Sequence, residues 1–160
     1  MTNEKYIVHH VRTWDVRGLF QVCKILYASG KSMADKYGLS HWDNSYFKDC
    51  IIVLLCALKN QIFLVYLDSV PVATFQIKKI SSSLLFQKLA THHQYEGKGI
   101  GSFCMQKIEQ QAKDMECNSV ICEVYDKSTH AIDFYRKKGY EIYGRTDTLK
   151  YQEVKMQKNL

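Results

Sequence analysis

Long apolar runs are missing from this chain. No stretch reaches the roughly 18 consecutive apolar residues that a membrane-spanning helix needs. The opening "MTNEKYIVHHVRTWD" lacks the apolar middle of a secretory signal. These two absences predict a cytoplasmic protein with no membrane partner. C-x-x-C pairs are also absent, although six cysteines are present. Most sit in apolar company, as in "IIVLLCALKN" and "SVICEV", and read as reduced, buried side chains. Metal-ligand clusters are lacking. His9-His10 and His92-His93 are adjacent pairs, and neighbours along a strand point to opposite faces, so no metal is expected. The net charge of +6 comes with no basic block and no basic–aromatic stripe. It suits an anionic ligand without pointing to nucleic acid. Repeats, linkers and low-complexity tracts are absent. The 160 residues therefore read as one domain over residues 1–160.

What is present alternates between two periodicities. Lys5–Arg12 reads as a first strand. Asp15 is placed to cap a helix from Val16 to about Tyr27, with Leu19, Val22, Cys23 and Leu26 on one face. A short second helical piece is predicted between Gly30 and Gly38, followed by a turn-rich link carrying His41 and Trp42. Asn44 or Ser45 is placed to cap a further helix to roughly Leu58. Its segment "CIIVLLCAL" is apolar all round, which predicts deep burial or partial strand, and periodicity does not decide. Strands are predicted at Ile62–Leu67, Val72–Lys78 and Leu84–Thr91, forming an antiparallel meander. The lone proline, Pro71, lies at the first of its turns. A helix from about Ile100 to Met115, a buried strand at Ser119–Tyr125, a helix closed by Gly139 and two last strands complete the chain. A helix between two strands implies a right-handed parallel crossover, so the sheet should be mixed.

One stretch carries more information than the rest. "EGKGIGS", Glu96 to Ser102, places three glycines in five residues between a strand and a helix start. The first amides of a helix have no partner inside it, and the aligned peptide dipoles make that end positive. Glycine lets backbone and ligand approach closely. The combination suits a phosphate or pyrophosphate, with Lys98 adding a charged contact. It is not a P-loop, because Gly99 rather than Ser or Thr follows Lys98. A dinucleotide fingerprint would sit on the first strand of a parallel sheet and carry a third glycine at its own spacing.

The stretch "LATHHQYEGKGIGSFCMQKIEQQAK" resembles the acetyl-coenzyme A loop of the GNAT superfamily of N-acetyltransferases. The later "EVYDKSTHAIDFYRKKGYE" resembles the second hallmark of that superfamily. The clear match covers about Leu84 to Glu141. The resemblance implies an α/β fold with a central mixed sheet of roughly six or seven strands flanked by about four helices. The antiparallel meander would lead into two parallel strands splayed at the cofactor site.

Carried over residue by residue, the resemblance implies that Glu96, Gly97, Lys98, Gly99, Ile100, Gly101 and Ser102 form the pyrophosphate loop. Leu89, Ala90 and Thr91 would pair backbone groups with the pantetheine arm. Ser128 stands where the family commonly has Asn, and Lys137 at its cofactor-side lysine. Tyr135 occupies the position of the tyrosine that protonates the leaving thiolate, and Glu123 that of a general base in some relatives. His41 and Trp42 fall in a region that forms part of the acceptor pocket. Glu96 stands where Arg or Gln is usual, and is expected to point to solvent. Cys104 and Cys122 lack a histidine motif that would make them acyl carriers, and packing is the favoured reading.

The implied activity is transfer of an acetyl group from acetyl-coenzyme A to a primary amine of a small molecule or peptide. The implied enzyme class is an acyltransferase without metal. Two other readings stay open. One is a non-catalytic acyl-coenzyme A-binding module, and the other is acetylation of an RNA-borne amine such as a charged tRNA. The lack of an acidic cluster places polyamine and histone-tail acceptors lower. A homodimer is common among look-alikes.

Overall fold

The computed structural model describes residues 5–40 and 45–160. His41 and Trp42, expected near the acceptor, lie outside the described residues. The elements in chain order are β1 (Tyr6–Val11), α1 (Val16–Tyr37), α2 (Tyr46–Ala57), β2 (Gln61–Leu67), β3 (Val70–Ile80) and β4 (Ser83–Thr91). A 3-10 turn (His93–Tyr95) follows, then α3 (Ile100–Asp114), β5 (Ser119–Tyr125), α4 (Thr129–Lys137), β6 (Glu141–Asp147) and β7 (Gln152–Asn159). The strands form a seven-stranded sheet in the order β1-β2-β3-β4-β5-β7-β6. β4 and β5 run parallel, while β1-β2, β2-β3, β5-β7 and β6-β7 are antiparallel. The expected mixed sheet with its crossover helix is present. Among the described residues no helix is long and apolar enough to cross a membrane.

Two compact units divide the chain. The first comprises Met1–Lys78 with Lys88–Gln106, and the second Lys79–Gln87 with Lys107–Leu160. In the first unit α1 starts where Asp15 Oδ1 accepts the Gly18 amide at 2.8 Å. The helix does not stop near Tyr27. It runs unbroken through Gly30, which is buried, and ends at Gly38 in the left-handed region with φ 65°. A mid-helix glycine costs about 1 kcal/mol. No proline between Tyr27 and Gly38 obliges the helix to stop, and Gly30 is enclosed within it. Leu19, Val22, Cys23 and Ile25 pack with Val11, Ile62, Leu64 and Val53 in one apolar cluster. On the other side of the strands the rings of His10, Phe63 and Phe75 stack at 4.9 and 5.0 Å.

α2 corrects a second expectation. Ser45 caps it by accepting the Lys48 amide at 3.3 Å, and the segment is helix throughout. It is not deeply buried. Only Asp49 and Val53 are enclosed, and the opposite face exposes apolar side chains.

The turn between β2 and β3 places both Asp68 (φ 49°) and Ser69 (φ 68°) in the left-handed region. That is the backbone of a tight two-residue hairpin. Pro71 pairs opposite Tyr66, where the register shifts.

In the second unit parallel pairing joins Ser83–Leu85 of β4 to Ser119–Ile121 of β5. Three residues on, at Lys88, β4 adopts φ 49°, a rare conformation for a side-chain-bearing residue inside a strand. The core of this unit contains the Tyr140 ring, edge-on to Phe86 at 6.0 Å. Glu109 receives Lys158 at 2.9 Å and the Tyr140 hydroxyl at 3.4 Å.

Candidate active site

The glycine loop is built from β4 outward, within the first unit. As β4 ends, the His92 amide donates to the Val72 carbonyl at 2.8 Å. The His92 and His93 rings stack at 4.5 Å instead of facing apart, because His92 has left the strand and His93 begins the 3-10 turn. Burial and the neighbouring His93 hold the His92 pKa below its usual value. The chain then passes through Gly97 (φ 74°) and Gly99 (φ 81°) and enters α3 at Ile100, which is fully buried and anchors the helix start. A Cβ at Gly97 or Gly99 would meet nothing within 4 Å. Glycine is required there by backbone conformation and not by crowding.

The amides are the decisive feature. Those of Tyr95 and Glu96 are spent inside the turn, and that of Phe103 bonds Gly99 O. Among the described residues, none of the six amides from Gly97 to Ser102 donates a hydrogen bond. Gly97, Lys98 and Gly99 are exposed. A row of uncommitted donors at a helix N-terminus, open to one side, is suited to an anion carrying two phosphoryl groups.

Two contacts brace this loop. The Tyr6 hydroxyl donates to the Lys98 carbonyl at 3.2 Å, and the Tyr6 ring packs on Phe103 at 5.0 Å. The Lys98 ammonium sits 5.0 Å over the Tyr95 ring. Glu96 does not simply face solvent. Its Oε2 accepts from Lys36 Nζ at 2.6 Å, and this partner raises the Lys36 pKa. Lys36, from the last turn of α1, is a functional candidate that the sequence did not mark. Sixty residues separate it from Glu96, and no periodicity connects them.

The expected residues of β5 and α4 lie on the second unit. Ser128 is the N-cap residue of α4 and is buried, but its hydroxyl makes no capping bond; its carbonyl takes the Ala131 and Ile132 amides. Tyr135 lies two turns along, also buried, with ring edges against Phe86 at 5.5 Å and Phe134 at 5.3 Å. Seven residues apart on a helix, Ser128 and Tyr135 share a face. Lys137 is exposed. Glu123 is exposed on β5 opposite Lys155 of β7, and after burial its charge contributes to the raised pKa of Tyr143.

Leu89, Ala90 and Thr91 close β4 in the first unit, with Ala90 part of the apolar cluster. Burial pushes the Cys104 thiol up to about 12 and raises that of Cys122 as well, which disfavours a thiolate nucleophile at neutral pH.

Comparison with known proteins adds the family. The model of the acetyltransferase (GNAT) family matches residues 28–140. A GCN5-related N-acetyltransferase structure from Rhodopseudomonas palustris covers 100% of this chain, and is itself covered to 99%, at 19% identity and a TM-score of 0.78. PaiA N-acetyltransferase from Thermoplasma acidophilum, in complex with coenzyme A, aligns over 97% of this chain and 99% of its own at 16% identity and a TM-score of 0.74. A GNAT family acetyltransferase from Elizabethkingia anophelis with acetyl-CoA bound aligns over 99% and 100% at 12% identity and a TM-score of 0.70. These likenesses are of fold. The uncharacterized protein YdhI of Bacillus subtilis (strain 168) is 37% identical over 47 residues, which is 29% of this chain and 29% of that relative.

Proposed function

Because this chain belongs to the acetyltransferase (GNAT) family, we propose that it moves an acetyl group from acetyl-coenzyme A to a primary amine of a small molecule or peptide. The observation that carries this reading is the row of uncommitted amides from Gly97 to Ser102 at the start of α3. The residues present fit the donor. Two left-handed glycines hold the loop open, Lys98 adds charge, and Lys36 neutralises the carboxylate of Glu96 that would otherwise repel a diphosphate. When bound, acetyl-coenzyme A supplies the thioester carbon that the amine attacks.

The remaining roles belong to the chain. Backbone groups of Leu89, Ala90 and Thr91 align the pantetheine arm, and an amide near Ala90 or Thr91 polarises the thioester carbonyl. Glu123 takes the proton of the incoming ammonium, directly or through water. Tyr135 donates its phenolic proton to the departing sulfur. Ser128 and Lys137 contact the cofactor from α4. No covalent enzyme intermediate is needed, in keeping with the raised thiol pKa values.

The test is calorimetry with acetyl-coenzyme A followed by thiol release across a panel of amines. Saturable binding with release on at least one amine is expected. Failure to bind acetyl-coenzyme A overturns the reading. Binding without release on any amine reassigns the chain as an acyl-coenzyme A-binding module. Tyr135→Phe is expected to leave coenzyme A affinity unchanged and lower kcat on the order of 100-fold. Turnover unchanged in that variant removes Tyr135 as the acid.

A further inference from the structure

The outer face of α2 leaves five large apolar side chains uncovered. Phe47 is 75% exposed, Ile51 43%, Leu54 55%, Leu55 58% and Leu58 76%. Their spacing of four, three, one and three residues puts them on one side of the helix, opposite Val53 and Asp49, which are enclosed. From Phe47 to Leu58 the ridge runs about 16 Å at 1.5 Å per residue. A soluble surface rarely spends consecutive helical turns this way without a partner.

The exposed charges on the two helices are mostly positive. On α1, Arg17, Lys24 and Lys31 recur every seven residues and are exposed. The Lys24 ammonium lies 4.8 Å over the Phe20 ring, and the Lys31 ammonium 5.5 Å over Tyr27. Both rings meet Tyr46, the first residue of α2, edge-on at 5.9 and 5.5 Å. The basic line of α1 therefore lies beside the first turn of α2, where the ridge begins. Lys48 and Lys59 add two exposed cations at its ends. Asp49 is buried, which leaves Asp35, in the last turn of α1, as the one exposed acid on either helix among the described residues.

We propose that this α1–α2 face docks on an anionic lipid surface, with Phe47, Ile51, Leu54, Leu55 and Leu58 entering the interface and Arg17, Lys24, Lys31 and Lys48 meeting the headgroups. An apolar stripe flanked by cations is the pattern of helices that lie in the plane of a bilayer. Charge decides between a bilayer and a second copy. A two-fold contact would set each basic line near its own image, whereas an acidic headgroup layer neutralises it. The inference runs against the sequence-based expectation of no membrane partner, which rested on the absence of a spanning segment. Lying on a bilayer needs no such segment. It is also independent of the acetyl-transfer reading.

Flotation of the full chain with phosphatidylcholine vesicles, alone or mixed with phosphatidylglycerol, tests it. Binding is expected on the anionic vesicles, falling steeply with added salt. Lys24→Gln and Lys31→Gln together are expected to lower partition about fivefold per charge removed. Leu55→Glu, at an exposed position, is expected to abolish binding while the thermal midpoint stays put. Equal binding to both vesicle types, or none at low salt, overturns the proposal. So does a dimer in light scattering that Leu55→Glu dissociates, which assigns the face to a second copy.

Discussion

At the scale of single residues, the loop depends on a charge balance that crosses 60 positions of sequence. Glu96 stands at the edge of the amide row, and Lys36 covers it at 2.6 Å. The two partners therefore have opposite expected effects on the donor. Lys36→Met exposes a bare carboxylate beside the diphosphate, and coenzyme A affinity should fall. Glu96→Gln removes that carboxylate and leaves the lysine, and affinity should rise. Each change is expected to be a few-fold, because both side chains are partly solvated and salt screens them. Titration calorimetry at low and high salt checks the signs, and equal shifts in the two variants would dismiss the balance. The sequence exposed the oddity of an acid at this position but not its remedy. The glycines were legible because positive φ restricts residue type. An ion pair between distant elements leaves no such trace.

At the scale of elements, the meander, the crossover helix α3 and the short helix α4 were readable, because turns, caps and alternation agree locally. α1 and α2 were not. A helix interrupted by glycine and a helix continued through it have the same local pattern, and the sequence does not show that Gly30 is buried inside the helix. α2 failed for a different reason. Periodicity reports burial only where polar residues mark the outer face, and "CIIVLLCAL" has none to mark it. β4 contains a feature that no propensity would suggest, the left-handed Lys88. A left-handed residue with a Cβ costs roughly 1 kcal/mol relative to glycine. Lys88→Gly is therefore expected to raise the urea midpoint by an amount equivalent to roughly 0.5–1 kcal/mol. A drop would mean that the lysine side chain contributes more than its backbone costs.

At the scale of the whole molecule, stability should depend on pH through two histidines. Burial, first, and neighbouring positive charge hold the pKa of His10 and of His92 below 6.5. As pH falls through 6.5 the unfolded chain takes up protons before the folded chain does, so the unfolding free energy declines on the acid side. Urea midpoints at about pH 7.5 and about pH 5.5 should show the loss. His10→Phe, which keeps the ring stacked on Phe63, should remove part of it.

The hydroxyl of Tyr6, at the very start of β1, props the carbonyl of Lys98. Whatever is fused just upstream of that tyrosine hangs from the strut of the loop. A bulky amino-terminal handle is thus expected to blunt acetyl-coenzyme A binding, where the same handle placed after Leu160 leaves it intact. Matched titrations of the two fusions would decide where this protein is best held.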